Sequence, residues 1–135
     1  MLLRKLRQNK RGAAAIEFAI GAPILILFLI GLARLGILYM ANAGLRSAVA
    51  EGARLATIYP TPTDAQISAR IMSSRFGLQS ANMTTPTITR GVANSANYVD
   101  IRVQYTVPMD FVFFQLSSVV LVEQRRAFVS SGTTS

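Results

Sequence analysis

The chain has 135 residues, of which 51% are hydrophobic and 15% charged, with 14 basic and 6 acidic side chains and a net charge of +8. This composition is too apolar for a disordered chain and indicates a membrane segment. Because histidine and cysteine are both absent, Cys/His zinc sites, thiol catalysis, His-based triads and disulfide frameworks are excluded. We expect no cofactor and no metal.

The basic residues concentrate at the N-terminal tip. A nucleic-acid surface needs basic residues on one face of a folded domain, and the other arginines are spread along the rest of the chain, so we expect no nucleic-acid partner. A basic flank before an apolar segment favours a cytoplasmic N-terminus, with the rest of the chain across the membrane. The membrane-orienting residues are Arg4, Lys5, Arg7, Lys10 and Arg11.

Residues 13–33 contain a single charge, Glu17, and are the most apolar stretch of the chain. As a helix they extend about 30 Å, the thickness of the hydrocarbon core of a bilayer. Arg34 then falls at the far interface, where its guanidinium can reach water. We therefore predict a single membrane span. A conventional signal peptide is the main competitor, although the small residues of 12–15 precede the apolar run instead of following it.

Glu17 is unusual in a span, because a carboxylate there costs roughly 2.5–3.5 kcal/mol. Arg34 lies about 25 Å further along the helix and cannot be its partner. Glu17 could be protonated, could reach the cytoplasmic headgroups, or could pair with another chain. Cleavage between Gly12 and Ala13 would create an α-amino group four residues before Glu17. In a staggered bundle, that amine could meet Glu17 of a neighbouring subunit.

The segment Arg11–Phe18, with the sequence RGAAAIEF, resembles a type IV prepilin processing site. Phe18 after the Glu is similar to the tight-adherence (Flp, type IVc) branch. Together with Pro23 and the later segment Ala50–Arg54, the chain resembles the TadE-like family of minor pilins, or pseudopilins. The resemblance implies cleavage after Gly12 by a prepilin peptidase and subunit assembly through Glu17 and Phe18.

The resemblance also implies partners and a location. The implied partners are the prepilin peptidase, other major and minor pilins, the inner-membrane pilus assembly platform and the lipid bilayer. The protein would be a single-pass protein of the cytoplasmic membrane, with its C-terminal domain in the periplasm or outside, or in the extracellular pilus. Its parts would be a basic leader (1–12), a transmembrane and spine helix (13–57) and an external α+β domain (58–135).

Residues 35–57 contain no proline and continue the helical pattern. An apolar face, with Leu38, Leu45 and Val49, lies opposite Glu51 and Arg54, which are spaced to pair. Small residues recur at every fourth position and permit close packing. We expect the protein's own sheet to cover this stripe, and a subunit contact is the alternative. The stripe consists of Gly44, Ala48, Gly52 and Ala56.

The run Tyr59–Pro62 ends the helix, because proline cannot continue it. The pattern of Thr63–Gln66 is typical of a capping box. It opens a short helix to about Phe76, with Ile67, Ile71 and Leu78 inward and Gly77 as the C-terminal stop. A strand over Thr85–Arg90 and a loop over Gly91–Asn97 follow.

The clearest strand covers Val99–Val107, where apolar and polar residues alternate, and Pro108 ends it. The apolar connector Phe111–Phe114 predicts either a core plug or an exposed contact patch. Val119–Val129 is the last strand, with Arg125 and Arg126 as its exposed or edge-protecting charges. We predict an α+β, pilin-like fold in which a long N-terminal helix packs on a small antiparallel sheet of about three strands.

The leading hypothesis is a minor pilin or pseudopilin that acts in assembly or initiation of a tight-adherence pilus. An unprocessed single-pass scaffold of a secretion or pilus complex is the alternative. A third hypothesis, an exported enzyme or binding domain, has little support, because no Gly-x-Ser-x-Gly or phosphate-binding glycine loop is present. The acids outside the helix also lack a spacing that pairs them for catalysis. They are Asp64, Asp100, Asp110 and Glu123.

Overall fold

The computed structural model describes residues 10–109 and 117–129. Contacts divide the chain into two compact units, one up to Gly36 and a second from Ile37 onward. Helix α1 (Lys10–Ala56) contributes residues to both units and contains Pro23. It begins three residues before the expected start of the span and ends one residue before the expected end. The prolines that follow Tyr59 account for this end, since they offer no N–H to a further turn.

Helix α2 (Asp64–Ser73) opens with the predicted capping box. The N–H of Gln66 donates to Thr63 Oγ1 at 3.3 Å, and the N–H of Thr63 donates to Gln66 Oε1 at 2.9 Å. The helix ends three residues earlier than expected, because the Ser74 N–H already caps it by donating to the carbonyls of Arg70 and Ile71. Gly77, with φ of 72°, serves the turn after the helix and is not its stop.

In the described residues three strands form one antiparallel sheet in the order β1-β2-β3. They are β1 (Thr87–Ala93), β2 (Ala96–Val107) and β3 (Val119–Val129). The bounds of β3 agree with the prediction, and β2 begins three residues earlier than expected. The predicted α+β arrangement of a long helix on a small antiparallel sheet is confirmed.

The expected loop over Gly91–Asn97 is wrong, because most of it is paired strand. Ala93 pairs with Ala96 across a two-residue turn. Asn94 and Ser95 have φ values of 50° and 63°, which is the backbone of a tight hairpin turn whose twist matches that of the strands. Small and polar residues conceal this hairpin in the sequence, since they carry little strand propensity.

The core of the second unit forms where α1, α2 and β2 meet. Leu45 and Val49 of α1 and Ile67 and Ile71 of α2 are at most 1% exposed. The inward side chains of β2 complete the cluster and follow the predicted alternation: Val99, Ile101, Val103, Tyr105 and Val107. The apolar connector Phe111–Phe114 lies outside the described residues.

The stripe of small residues on α1 is buried along its whole length. A Cβ on Gly52 would lie 2.7 Å from Ile71 Cδ1, and one on Gly44 would collide with the carbonyl oxygen of Phe76. The two glycines therefore face α2 and the turn that follows it, whereas the sequence favoured the sheet as the covering element. The absence of a side chain lets α2 approach the backbone of α1 closely.

Candidate membrane and assembly site

Large apolar side chains are exposed around α1 from Ile16 to Met40. Phe18 is 75% exposed and Phe28 62% exposed. A helix that is apolar on all sides belongs in a core or in a membrane, and none of its most apolar window is buried within the protein. This helix is long and apolar enough to span a bilayer. The exposed residues include Ile16, Phe18, Ile20, Ile24, Leu25, Phe28, Leu29, Leu32, Leu35, Ile37, Tyr39 and Met40.

The two residues of the predicted cleavage site, Gly12 and Ala13, lie on the exposed, helical first part of α1. A Cβ on Gly12 would meet no atom within 4 Å. The fold therefore leaves room for a side chain at this position. Because the Gly12–Ala13 bond is helical in this structure, a peptidase that binds an extended segment would have to unwind it.

The predicted assembly residues Glu17 and Phe18 are both exposed. Among residues whose side chains the structure describes, Glu17 has no ion-pair partner within 4.0 Å. Of the membrane-orienting residues, Lys10 and Arg11 begin the backbone of α1. The other three lie outside the described residues: Arg4, Lys5 and Arg7.

The Asp100 carboxylate on β2 is held by Arg126 on β3. Arg126 Nε donates to Asp100 Oδ1 at 2.8 Å and Nη2 donates to Oδ2 at 2.6 Å. The same guanidinium lies 4.1 Å from the ring centroid of Tyr98, a cation–π contact. The hydrogen bonds from Arg126 lower the pKa of Asp100. Arg126, expected to be an exposed or edge-protecting charge, therefore also joins β2 to β3.

Two further ion pairs join α2 to its neighbours. Glu51 on α1 accepts from Arg70 on α2 at 3.0 Å, and lies 3.5 Å from Arg54 as its spacing predicted. The hydrogen bond from Arg70 is the main reason why the pKa of Glu51 is lowered. At the other end of α2, Arg90 of β1 donates to Asp64 Oδ1 at 2.8 Å and to the carbonyl oxygen of Pro62 at 2.7 Å.

The pairs that Arg70, Arg90 and Arg126 make have no signature in the sequence. Each joins residues at least 19 positions apart, and only strand register and helix packing bring such residues together. In the part of the chain that the structure describes, no group of three or more acidic, histidine or cysteine residues could hold a metal. No polar or charged side chain is buried there either.

Comparison with known proteins associates α1 with one family. The family model described as TadE-like protein matches residues 12–54, so the match begins at Gly12 and lies wholly within α1. No curated protein and no solved structure matches the chain. Residues 12–54 are therefore similar to the TadE-like family, as the resemblance in the sequence indicated.

Proposed function

We propose that this chain is a minor pilin or pseudopilin of a tight-adherence (type IVc) pilus, acting in assembly or initiation of the filament. The observation that carries this proposal is the family match over residues 12–54. It starts at the glycine predicted for processing and covers α1, in which most large apolar side chains are exposed as far as Met40. In this proposal residues 1–12 are a leader, 13–57 the membrane and spine helix, and 58–135 the external domain.

The exposed helix gives the proposal its energetic basis. Before assembly, the bilayer of the cytoplasmic membrane covers the apolar side chains of residues 13–33, with the N-terminus in the cytoplasm. Extraction into water would expose them, at about 1.5–3 kcal/mol for each large side chain. A filament core built from the same helices of other pilins can bury them again. The assembly platform would transfer the helix from the bilayer to the filament core, both of which are apolar.

Glu17 supplies the specificity of this exchange. Cleavage after Gly12 leaves a charged amine on Ala13, and a neighbouring subunit displaced along the filament axis can bring that amine to Glu17. A charge-assisted contact of this kind is stronger than a neutral hydrogen bond. It would favour one stagger between helices, since any other stagger leaves the carboxylate unpaired.

Processing is tested by expressing the full chain with an active prepilin peptidase and determining the N-terminal residue of the membrane-bound product. The wild type should begin at Ala13, and a Gly12→Leu variant should keep residues 1–12. A Cβ at Gly12 would meet no atom within 4 Å, so the substitution causes no clash in the fold. Retention of residues 1–12 would therefore reflect a loss of cleavage by the peptidase. Gly21→Leu is the matched control, since Gly21 also has open space around it, and it should be cleaved normally.

An unprocessed single-pass scaffold of a secretion or pilus complex is the second candidate. The helical state of the Gly12–Ala13 bond favours it, because a helix does not fit a cleft that binds an extended substrate. A wild-type protein that retains residues 1–12 in membranes where a known prepilin is cleaved would establish this candidate and overturn the first.

A further inference from the structure

The turn between α2 and the sheet carries the most exposed large apolar side chain of the described residues. Phe76 is 83% exposed, although its backbone is packed against α1. Its carbonyl oxygen lies against Gly44, and a Cβ on the next residue, Gly77, would lie 3.6 Å from Met40 Sδ. Phe76 is therefore fixed beside the segment 40–44 of α1, with its ring in solvent.

That segment is where α1 passes from exposed to buried. Tyr39 is 73% exposed and Met40 59% exposed, whereas Ala41 is only 4% exposed and belongs to the core. Along the chain, exposed apolar side chains extend past Arg34 through Leu35 and Ile37. The apolar surface therefore reaches Met40 and ends there, and Phe76 lies beside its last residue.

We propose that Phe76, together with Tyr39 and Met40, forms a second membrane contact in the headgroup region where α1 leaves the bilayer. The inference rests on the proposed membrane span. Residues 13–39 extend about 40 Å as a helix, close to the thickness of a bilayer with both headgroup layers, so Tyr39 falls at the outer interface. Tyrosine and tryptophan side chains are enriched at this depth, which favours this position for Tyr39, and Phe76 lies beside the adjacent Met40.

Continuity with the span distinguishes Phe76 from other exposed rings. Tyr59 is 70% exposed, but it lies after the C-terminal end of α1. That end, at Ala56, is about 24 Å from Met40 along the helix. Arg75 adds a cation beside Phe76, and its Nη1 donates to the carbonyl oxygen of Met72 at 2.8 Å. In the proposed contact its other guanidinium N–H groups would donate to lipid phosphates.

The chain contains no tryptophan, so one substitution introduces a unique fluorescent probe. The full-length Phe76→Trp protein is reconstituted into vesicles of phosphatidylethanolamine and phosphatidylglycerol, with bromine either near the carbonyl end or near the methyl end of the acyl chains. Tyr59→Trp is the matched control at the distant position. Leu27→Trp reports on the span itself.

The Phe76→Trp emission should be blue-shifted, and it should be quenched several-fold more by lipids brominated near the carbonyl end than the Tyr59→Trp emission. Equal, weak quenching of the two variants overturns the inference. Protection of the Phe76→Trp probe from acrylamide without quenching by lipid also overturns it, and indicates a contact between copies of the chain. If Leu27→Trp is quenched by deep bromine while Phe76→Trp is not, the inference alone fails.

If Leu27→Trp is not quenched either, the membrane span of the proposed function fails and the inference fails with it. A Phe76→Cys variant carrying a nitroxide label gives a second measure of depth, since the chain has no other cysteine. Relaxation by oxygen dissolved in lipid should be enhanced for this label over the same label at Tyr59. Equal accessibility of both labels to a water-soluble relaxing agent would contradict the membrane contact.

Discussion

Single charged side chains on the second unit join elements that are distant in sequence. Arg126 joins β2 to β3 through Asp100, and Arg70 joins α2 to α1 through Glu51. Exposed ion pairs contribute little stability in general. A bidentate pair, in which one guanidinium donates two hydrogen bonds to one carboxylate as Arg126 does, is the favourable exception. These pairs therefore act mainly by favouring the observed strand register and the observed helix contact over alternative registers and contacts.

The Asp100–Arg126 pair predicts an acid-dependent loss of stability. Because Arg126 lowers the pKa of Asp100 from its ordinary value of 3.8, the folded protein binds fewer protons there than the unfolded chain. The resulting stability is present above the ordinary pKa and is lost as the pH falls through the lower, folded value. As the pH falls below the ordinary pKa of Asp100, the wild type should therefore lose more unfolding free energy than an Asp100→Asn variant.

Urea unfolding in detergent micelles at a series of pH values measures this difference. Arg126→Gln removes the cause of the shift while it keeps the carboxylate, so it should flatten the pH dependence in the same way. Parallel pH profiles for the wild type and both variants would show that the pair does not couple folding to protonation.

At the scale of elements, the contact between α1 and α2 depends on the lack of a side chain at Gly52. Ile71 of α2 is fully buried and occupies the space that a Cβ would need. Glycine is unfavourable inside a helix by up to about 1 kcal/mol relative to alanine. The presence of Gly52 in the buried stripe therefore reflects packing and not helix propensity.

A Gly52→Ala variant should consequently be less stable than the wild type. Overpacking a filled core costs about 1–3 kcal/mol, which outweighs the gain in helix propensity. Gly36→Ala is the matched control, because a Cβ there meets no atom within 4 Å, and it should leave stability unchanged or raise it. Thermal unfolding followed by circular dichroism compares the two. Equal melting temperatures for Gly52→Ala and Gly36→Ala would contradict the close contact.

At the scale of the whole molecule, α1 supplies two different surfaces. Up to Met40 most of its large apolar side chains are exposed, although Leu38 is half-buried against the core, and from Ala41 one face is buried in the core of the second unit. The same helix is thus suited to lipid or to neighbouring helices in its first part and to its own domain in its second part. The proposed exchange between membrane and filament requires this division.

A Glu17→Gln variant tests that exchange, since it keeps the size of the side chain and removes its charge. It should still enter the membrane and be cleaved after Gly12, and it should be depleted from filaments, because the amine of Ala13 loses its charged partner. Immunoblots of sheared filaments and of membranes measure the ratio. Glu51→Gln, which removes a carboxylate from the second unit, should be incorporated normally. Equal incorporation of both variants would exclude a role for the Glu17 charge in assembly.

Local patterns in the sequence were sufficient for much of the fold. The apolar run after Gly12, the capping box at Thr63 and the alternation in Val99–Val107 each depend on residues a few positions apart. Helix period, capping hydrogen bonds and strand pleat are properties of such short segments, so the sequence by itself determined α1, the start of α2, β2 and β3.

Only the tertiary structure decided which elements touch. It pairs Gly91 and its neighbours into a hairpin, covers Gly52 with α2, brings Arg126 to Asp100 and leaves Phe76 exposed beside Met40. These outcomes depend on strand register and on helix packing between residues far apart in the chain. Such contacts arise from the complementary shapes of whole elements, and no short stretch of sequence contains that information.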